Sequence, residues 1–218
     1  VVRNGYFHDG RVGGVLIKSH ASRVENNRIE RLARSGIVVK PEIFWLEGPF
    51  AEGIKIVGNT VSDCGWLAYT DEGMYSEFAP IQVLSAFSTR LFPPLWTHAA
   101  PIRGIEIRDN RIERAPGPGL FIANAAHVTI TGNEIHAPLA KDSALDALDL
   151  TDNLDREHSP DPRETALQTA QNPCYAILLL AVHNARLAAN RMTDPPDPLR
   201  GLLGVAPHPS GDGRVMVG

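Results

Sequence analysis

The sequence predicts an all-β fold: a right-handed, single-stranded parallel β-helix solenoid of about six rungs with loop insertions. Three observations predict it. An asparagine motif recurs along the chain, a short apolar run recurs with it, and the shortest repeat is too brief for anything but short strands.

The motif is an aliphatic residue, two residues, Asn, one residue and a hydrophobic residue. It reads Val1-Asn4-Tyr6, Val24-Asn27-Ile29, Ile56-Asn59-Val61, Ile107-Asn110-Ile112, Ile130-Asn133-Ile135 and Leu187-Asn190-Met192. The Asn-to-Asn spacings are 23, 32, 51, 23 and 57. The recurring 23 reads as the bare repeat, and the longer spacings read as the same unit carrying loops. The apolar runs are Val15-Leu16-Ile17, Ile37-Val38-Val39, Leu120-Phe121-Ile122 and Ile177-Leu178-Leu179, with Ile81-Gln82-Val83 and Leu202-Leu203 as looser members. A small residue precedes most of them: Gly14, Gly36, Gly119, Ala176, Gly201.

Each repeat therefore holds three strands. Strand one is the apolar run, strand two precedes the Asn, and strand three follows it. A βαβ unit needs about 30 residues, so three strands in the bare repeat fit one turn of a solenoid instead. Asn tolerates the left-handed backbone of a tight bend and can hydrogen-bond from rung to rung, which assigns these residues to the scaffold. A leucine-rich repeat also places Asn within an apolar pattern, but Ile and Val fill the apolar positions here and favour strands.

The long insertions, at 41–52, 62–80, 85–103 and 136–173, flank strand one, and residues 1–218 read as a single β-helix domain. The face of strand one then becomes the floor of a walled groove, where functional residues collect on loops. Alternation points Leu16, Lys18, Val38 and Lys40 into that groove. Lys18 and Lys40 occupy one position in successive rungs, so an anion is expected nearby: Glu42, Glu47 or another loop carboxylate, or an acidic sugar.

The 218 residues carry a formal net charge of −4, with 43% hydrophobic and 21% charged residues, which describes a globular chain without a polyanion-binding surface. No nucleic-acid partner is expected, because Lys and Arg are scattered singly. The longest apolar run, Tyr175 to Val182, is strand-sized, so no membrane span is expected. Cys64 and Cys174 read as buried core residues rather than a zinc or disulfide framework. The first residues read as the inside of a repeat, so the chain is expected to be part of something longer.

The first loop, Pro41 to Phe50, gathers Phe44, Trp45 and Phe50 with Glu42 and Glu47. Sugar rings stack on aromatic faces, and carboxylates bind hydroxyls or act as acid and base. Core capping is the alternative role for these aromatics. The second loop, Cys64 to Phe78, brings Trp66 and Tyr75 with Asp71, Glu72 and Glu77 from the opposite wall. Glu47 with Asp71 or Glu72 is the expected catalytic pair. Trp45, Lys18, Lys40, Glu42, Trp66 and Tyr75 are the expected sugar contacts. Arg90, Trp96 and His98 mark a third loop, a wall or lid. The fourth insertion carries Asp142, Asp146, Asp149, Asp152, Asp155 and Asp161, with a short helical turn expected over Ala144 to Leu150. It lacks any calcium-loop pattern and reads as a solvated acidic segment, so neither metal nor cofactor is expected.

The run Gly14-Val15-Leu16-Ile17-Lys18, Val24-Glu25-Asn26-Asn27, Gly36-Ile37-Val38-Val39, Trp45-Leu46-Glu47-Gly48 and Ile54-Lys55-Ile56-Val57-Gly58-Asn59 with Cys64 resembles bacterial pectin-lyase-like β-helix proteins. Within that group it resembles the exo-α-1,3-galactosidases of glycoside hydrolase family 110, over about residues 11 to 65. The resemblance implies a secreted or periplasmic glycoside hydrolase on galactose-containing oligosaccharide or polysaccharide, with Trp45 and Glu47 touching sugar. The family's paired Asp followed by Asn-His-Gly is absent from this chain. The resemblance therefore also implies that the catalytic carboxylates lie in a missing N-terminal part, or that this relative does different chemistry. The alternatives are a polysaccharide lyase using Lys18 and Lys40 on uronates, and a non-catalytic glycan-binding or structural solenoid.

Overall fold

The computed structural model describes residues 1–41, 47–66, 79–85, 87–89, 92–95, 100–138, 175–195, 201–206 and 214–218. Its strands wind as successive coils. Coil 1 holds β1 (Val2–Arg3), β2 (Tyr6–Gly10) and β3 (Val15–Ile17). Coil 2 holds β4 (Arg23–Glu25), β5 (Arg28–Leu32) and β6 (Ile37–Val39), and coil 3 holds β7 (Glu52–Val57), β8 (Thr60–Cys64) and β9 (Ile81–Leu84). An antiparallel hairpin follows, β10 (Phe87–Thr89) with β11 (Phe92–Leu95). Coil 4 holds β12 (Ile102–Arg108), β13 (Arg111–Glu113) and β14 (Leu120–Ala123). Coil 5 holds β15 (Ala125–Thr131), β16 (Glu134–His136) and β17 (Tyr175–Leu180), and coil 6 holds β18 (His183–Ala188), β19 (Arg191–Thr193) and β20 (Gly201–Ala206). β21 (Val215–Val217) opens a further turn.

Every strand of a coil pairs in parallel with its equivalent above and below, so the chain is a parallel β-helix. Sheet one stacks the apolar runs (β3, β6, β9, β14, β17, β20), sheet two the strands before the asparagines (β1, β4, β7, β12, β15, β18, β21), and sheet three those after them (β2, β5, β8, β13, β16, β19). Pairing puts like residues in register. Val24, Ile56, Ile107, Ile130 and Leu187 form one inward column of sheet two, and Phe7, Ile29, Val61, Ile112, Ile135 and Met192 one of sheet three. Between the sheets these aliphatic side chains close into one continuous core. Branched Ile and Val suit both the strand backbone and the narrow interior.

The bend between sheets two and three is held by side chains. The Asn27 amide donates to Asn59 Oδ1 at 2.9 Å, Asn59 to Asn110 at 3.0 Å, Asn110 to Asn133 at 2.9 Å and Asn133 to Asn190 at 2.9 Å. Each Oδ1 also accepts the backbone N–H of the preceding asparagine, at 2.9 to 3.1 Å. Each amide donates again to a carbonyl of the coil before it, as Asn59 does to Val24. Burial without partners would be costly, and this arrangement satisfies both ends of each amide.

Two expectations need correction at this bend. The motif placed Asn4 in line with Asn27, but Val2 pairs with Val24, so Gly5 is the residue in line. Only the Gly5 N–H reaches Asn27 Oδ1, at 2.9 Å. The left-handed residue is also not the stacked asparagine but the one before it. Asn4, Asn26, Gly58, Asp109, Gly132 and Ala189 all have φ between 54° and 66°. A Cβ on Gly58 would lie 2.5 Å from Asn26 Oδ1, and one on Gly132 2.7 Å from Asp109 Oδ1. Where the side chain of one coil occupies that space, the next coil needs glycine.

The other bends also turn on one left-handed residue per coil, most of them not glycine. Asp9, Arg31, Asp63, Arg114, Ala137 and Asp194 are left-handed at the end of sheet three, and Ala21, Gly53, Gly104, His127 and Asn184 at the start of sheet two. Entry to sheet one needs small residues because a Cβ on Gly36 would meet Val61 Cγ1 at 2.6 Å, and one on Gly119 would meet Ile135 Cγ2 at 2.7 Å. Cys64 is fully buried, and that burial pushes its thiol up to about 12, so it is an inert core residue. Cys174 and the expected turn over Ala144 to Leu150 lie outside the described residues.

Replacing Asn59 by Ala strands the buried Asn27 amide and the Asn27 N–H. The expected loss is about 2–3 kcal/mol of unfolding free energy, measured by urea denaturation. A loss under about 0.5 kcal/mol would show that the stacked amides do not hold the bend.

Candidate functional site

The outer face of sheet one is the expected groove floor, and its exposure changes along the solenoid. One outward column runs Leu16, Val38, Gln82, Phe121, Leu178, Gly204. Leu16 is 45% exposed, but Val38 is 3% exposed and Gln82, Phe121 and Leu178 are at most 1% exposed. The next column buries Leu84, Ala123 and Leu180, which join Phe121, Leu178 and Ala79 in a second apolar cluster outside the main core. An open groove along the whole face is therefore a misreading. Strand one of coils 4 and 5 is apolar on both faces because both faces are buried, and coil 3 departs from this only at the buried Gln82. The face reaches solvent at coil 1.

At that open end the structure brings together two of the expected site residues. Lys18 Nζ donates to Glu47 Oε2 at 2.7 Å, with the lysine side chain 24% and the glutamate side chain 59% exposed. The contact depends on Gly48, whose φ of 76° turns the returning chain onto coil 1. A Cβ there would lie 2.6 Å from Lys18 Cβ and 2.9 Å from its carbonyl oxygen. Glu47 thus supplies the anion expected beside the lysine column. Lys40 follows Lys18 by one coil and is half-buried; its N–H donates to Ile17 O at 3.2 Å. Trp66, half-buried, leaves sheet three just after Cys64 and Gly65. Trp45, Glu42, Asp71, Glu72 and Tyr75 lie outside the described residues, as do Arg90, Trp96, His98 and the aspartates of the fourth insertion.

A second polar cluster, on the outer face of sheet three, went unrecognised in the sequence. Tyr6 stacks on His8 with ring centroids 4.2 Å apart, the Arg28 guanidinium lies 5.0 Å from the Tyr6 ring centre, and the Tyr6 hydroxyl donates to Glu30 at 2.5 Å. Arg31 grips Asp9 with two bonds, at 2.6 and 2.9 Å, and also meets Glu30. His8 Nδ1 lies 2.6 Å from Asp9 Oδ2. Further along, Arg114 pairs with Asp63, and Glu134 with Arg111 and Arg191. The signal was available: His8-Asp9 and Glu30-Arg31 hold equivalent places in successive coils, which becomes visible only once the register is known.

The chemistry of this cluster is that of a clasp. The Tyr6 hydroxyl, with Arg31 and Arg28, holds the Glu30 carboxyl down at about 2. Arg31 and then His8 hold Asp9 well below the usual carboxylate range. Carboxylates so fixed are permanent anions near neutrality, suited to binding arginine and unsuited to donating protons. Among the described residues no group of three His, Cys, Asp or Glu could hold a metal, and no helix is long and apolar enough to cross a membrane.

A depressed folded-state value stabilises the fold above the ordinary carboxylate range, and that stabilisation fades as pH falls through the folded value. Stability is therefore expected to drop between about pH 4.5 and about 2 in part through Glu30. Glu30→Gln should flatten that slope in thermal melts recorded across the range. An unchanged slope would remove Glu30 from the acid response.

No protein-family model matches the chain, and no curated protein matches it. Among solved structures it is similar to a Parabacteroides merdae protein described as a "putative glycosyl hydrolase". The TM-score is 0.39 and the identity 12%, over 94% of this chain and 81% of that chain. A likeness of that size transfers neither residue roles nor activity.

Proposed function

We propose that the chain is a carbohydrate-active β-helix, a glycoside hydrolase acting on galactose-containing glycans at the coil 1 end of sheet one. The observation that carries the reading is the Lys18–Glu47 pair. It sets an exposed carboxylate beside the coil 1 end of that face, where Leu16 is open to solvent, bonded to the lysine that follows β3. A carboxylate that accepts from an ammonium suits a nucleophile or base, so a proton donor must come from a second carboxyl group. Asp71 and Glu72 are the proposed donors. Trp45, Trp66 and Tyr75 are proposed to stack on sugar, and Glu42 and Lys40 to bind hydroxyls. The secreted or periplasmic location implied by the family resemblance belongs to this proposal.

The lyase reading asks Lys18 to be a base. Lys18 instead donates its ammonium to Glu47, which favours hydrolysis over elimination. A structural solenoid would leave the Lys18–Glu47 pair as a simple surface tie.

The test compares wild type with Glu47→Gln on aryl galactosides, galactose-capped oligosaccharides and uronate polymers. The expected result is galactose release that falls at least about 100-fold in the variant, the range of one acid–base group. Release unaffected by Glu47→Gln, or unsaturated product from uronates alone, would overturn the proposal.

A further inference from the structure

The outer face of sheet three repeats one arrangement from coil to coil. Ile29, Val61, Ile112 and Ile135 point into the core, so the residues on either side of each point outward and form a left and a right column. Coil 2 carries Arg28 on the left and Glu30 on the right, coil 3 Thr60 and Ser62, and coil 4 Arg111 and Glu113. Coil 5 carries Glu134 and His136, and coil 6 Arg191 and Thr193. The arginines stand proud of the face. The Arg28 side chain is 64% and the Arg111 side chain 55% exposed, against 6% for Glu30 and 19% for Glu113.

Ion pairs within the chain hold these charges in place. Arg111 donates from Nε to Glu113 at 2.5 Å and from Nη1 to Glu134 at 3.2 Å. A guanidinium has more donors, and a carboxylate more lone pairs, than one mutual bond uses. A pair fixed in this way can therefore bind a second pair from outside, charge to opposite charge.

The two columns are complementary to each other. A two-fold axis set over the middle column, parallel to the solenoid, would lay the left column of one copy on the right column of another at the same coil. Arg28 then faces Glu30, Thr60 faces Ser62, Arg111 faces Glu113 and Glu134 faces His136, each in both directions. None of these coils sets like charges opposite. Sheet two lacks this property, since the same operation there lays Lys55 on Val57 and Arg186 on Ala188.

We propose that two copies of this chain associate side by side through sheet three about that axis, held chiefly by Arg111 of each copy on Glu113 of the other. Coil 4 leads because Glu30 of coil 2 lies deeper, beneath Tyr6, Arg28 and Arg31. With coils about 4.8 Å apart, the contact is a short charged strip at the small end of protein interfaces. Such an interface gives a weak dimer that salt dissociates.

Sedimentation equilibrium of the whole chain tests this at about 20 mM and about 300 mM salt, a change that shortens the screening length about fourfold. The association constant is expected to fall at least about tenfold at the higher salt. Arg111→Glu and Glu113→Arg are each expected to be monomeric, because each sets like charges opposite, and circular dichroism checks that each is folded. Mixed in equal amounts the two variants are expected to form a dimer, because one offers two carboxylates where the other offers two guanidinium groups. A purely structural role for these residues would not produce that recovery. Arg111→Gln and Glu113→Gln, milder changes, should each weaken self-association several-fold. A wild type that is monomeric at both salts, single reversals that still dimerise, folded reversals that stay monomeric when mixed, or neutral variants that associate as the wild type does would overturn the proposal.

Discussion

Every coil of this protein must repeat the backbone path of the coil beneath it, because its strands have no hydrogen-bonding partners within their own coil. The N–H and C=O groups of each strand point up and down the solenoid, so a bend that drifts in one coil unpairs three strands in the next. The left-handed residues make this visible. They recur at the same three places in coil after coil, at Asn26 and Asp109, at Arg31 and Arg114, and at Gly53 and His127. For residues other than glycine that conformation costs about 1–2 kcal/mol each. It persists because the register of the whole stack depends on it. The asparagine column is the side-chain expression of that constraint: each amide satisfies its neighbour's backbone as well as its side chain.

That constraint divides the surface into faces of different character. Sheet three carries charges outward, and its ion pairs run from coil to coil, as Arg31 to Asp9 and Arg114 to Asp63 do. Such pairs contribute little singly, but here they join residues whose backbones are already in register. Sheet one is buried outward in its middle coils, where Gln82 is the polar member of an otherwise apolar column, and Leu16 of coil 1 reaches solvent. The long connections of the chain adjoin this sheet, while the asparagine bend is always short. A solenoid can lengthen a connection only where no coil-to-coil stack depends on its path, and the asparagine bend is such a stack.

The chemistry proposed for the coil 1 end rests on the same logic. Lys18 follows the paired strand β3, and Glu47 reaches it because Gly48 turns the returning chain down onto that strand. A lysine at the end of a paired strand and the carboxylate it bonds give a charge pair on an exposed face, the kind of anchor from which a sugar site can be built.

How much of this was legible in the sequence follows from period. The spacing of the Asn motif and the apolar runs identified the three strands of each coil and the parallel stack, because both report one-dimensional repetition directly. Burial on two sides looks, in sequence, the same as burial on one when the outward residue is apolar, so the face of Val38, Phe121 and Leu178 was taken for an open floor. A one-residue slip put Asn4 into a column that belongs to Gly5, since only strand pairing fixes register. The pairing of Lys18 with Glu47, and the clasp of Tyr6, Asp9, Glu30 and Arg31, join residues that are distant along the chain. Those contacts were decided by the tertiary structure, because the winding of the chain brings coils into contact while the sequence alone records only their order.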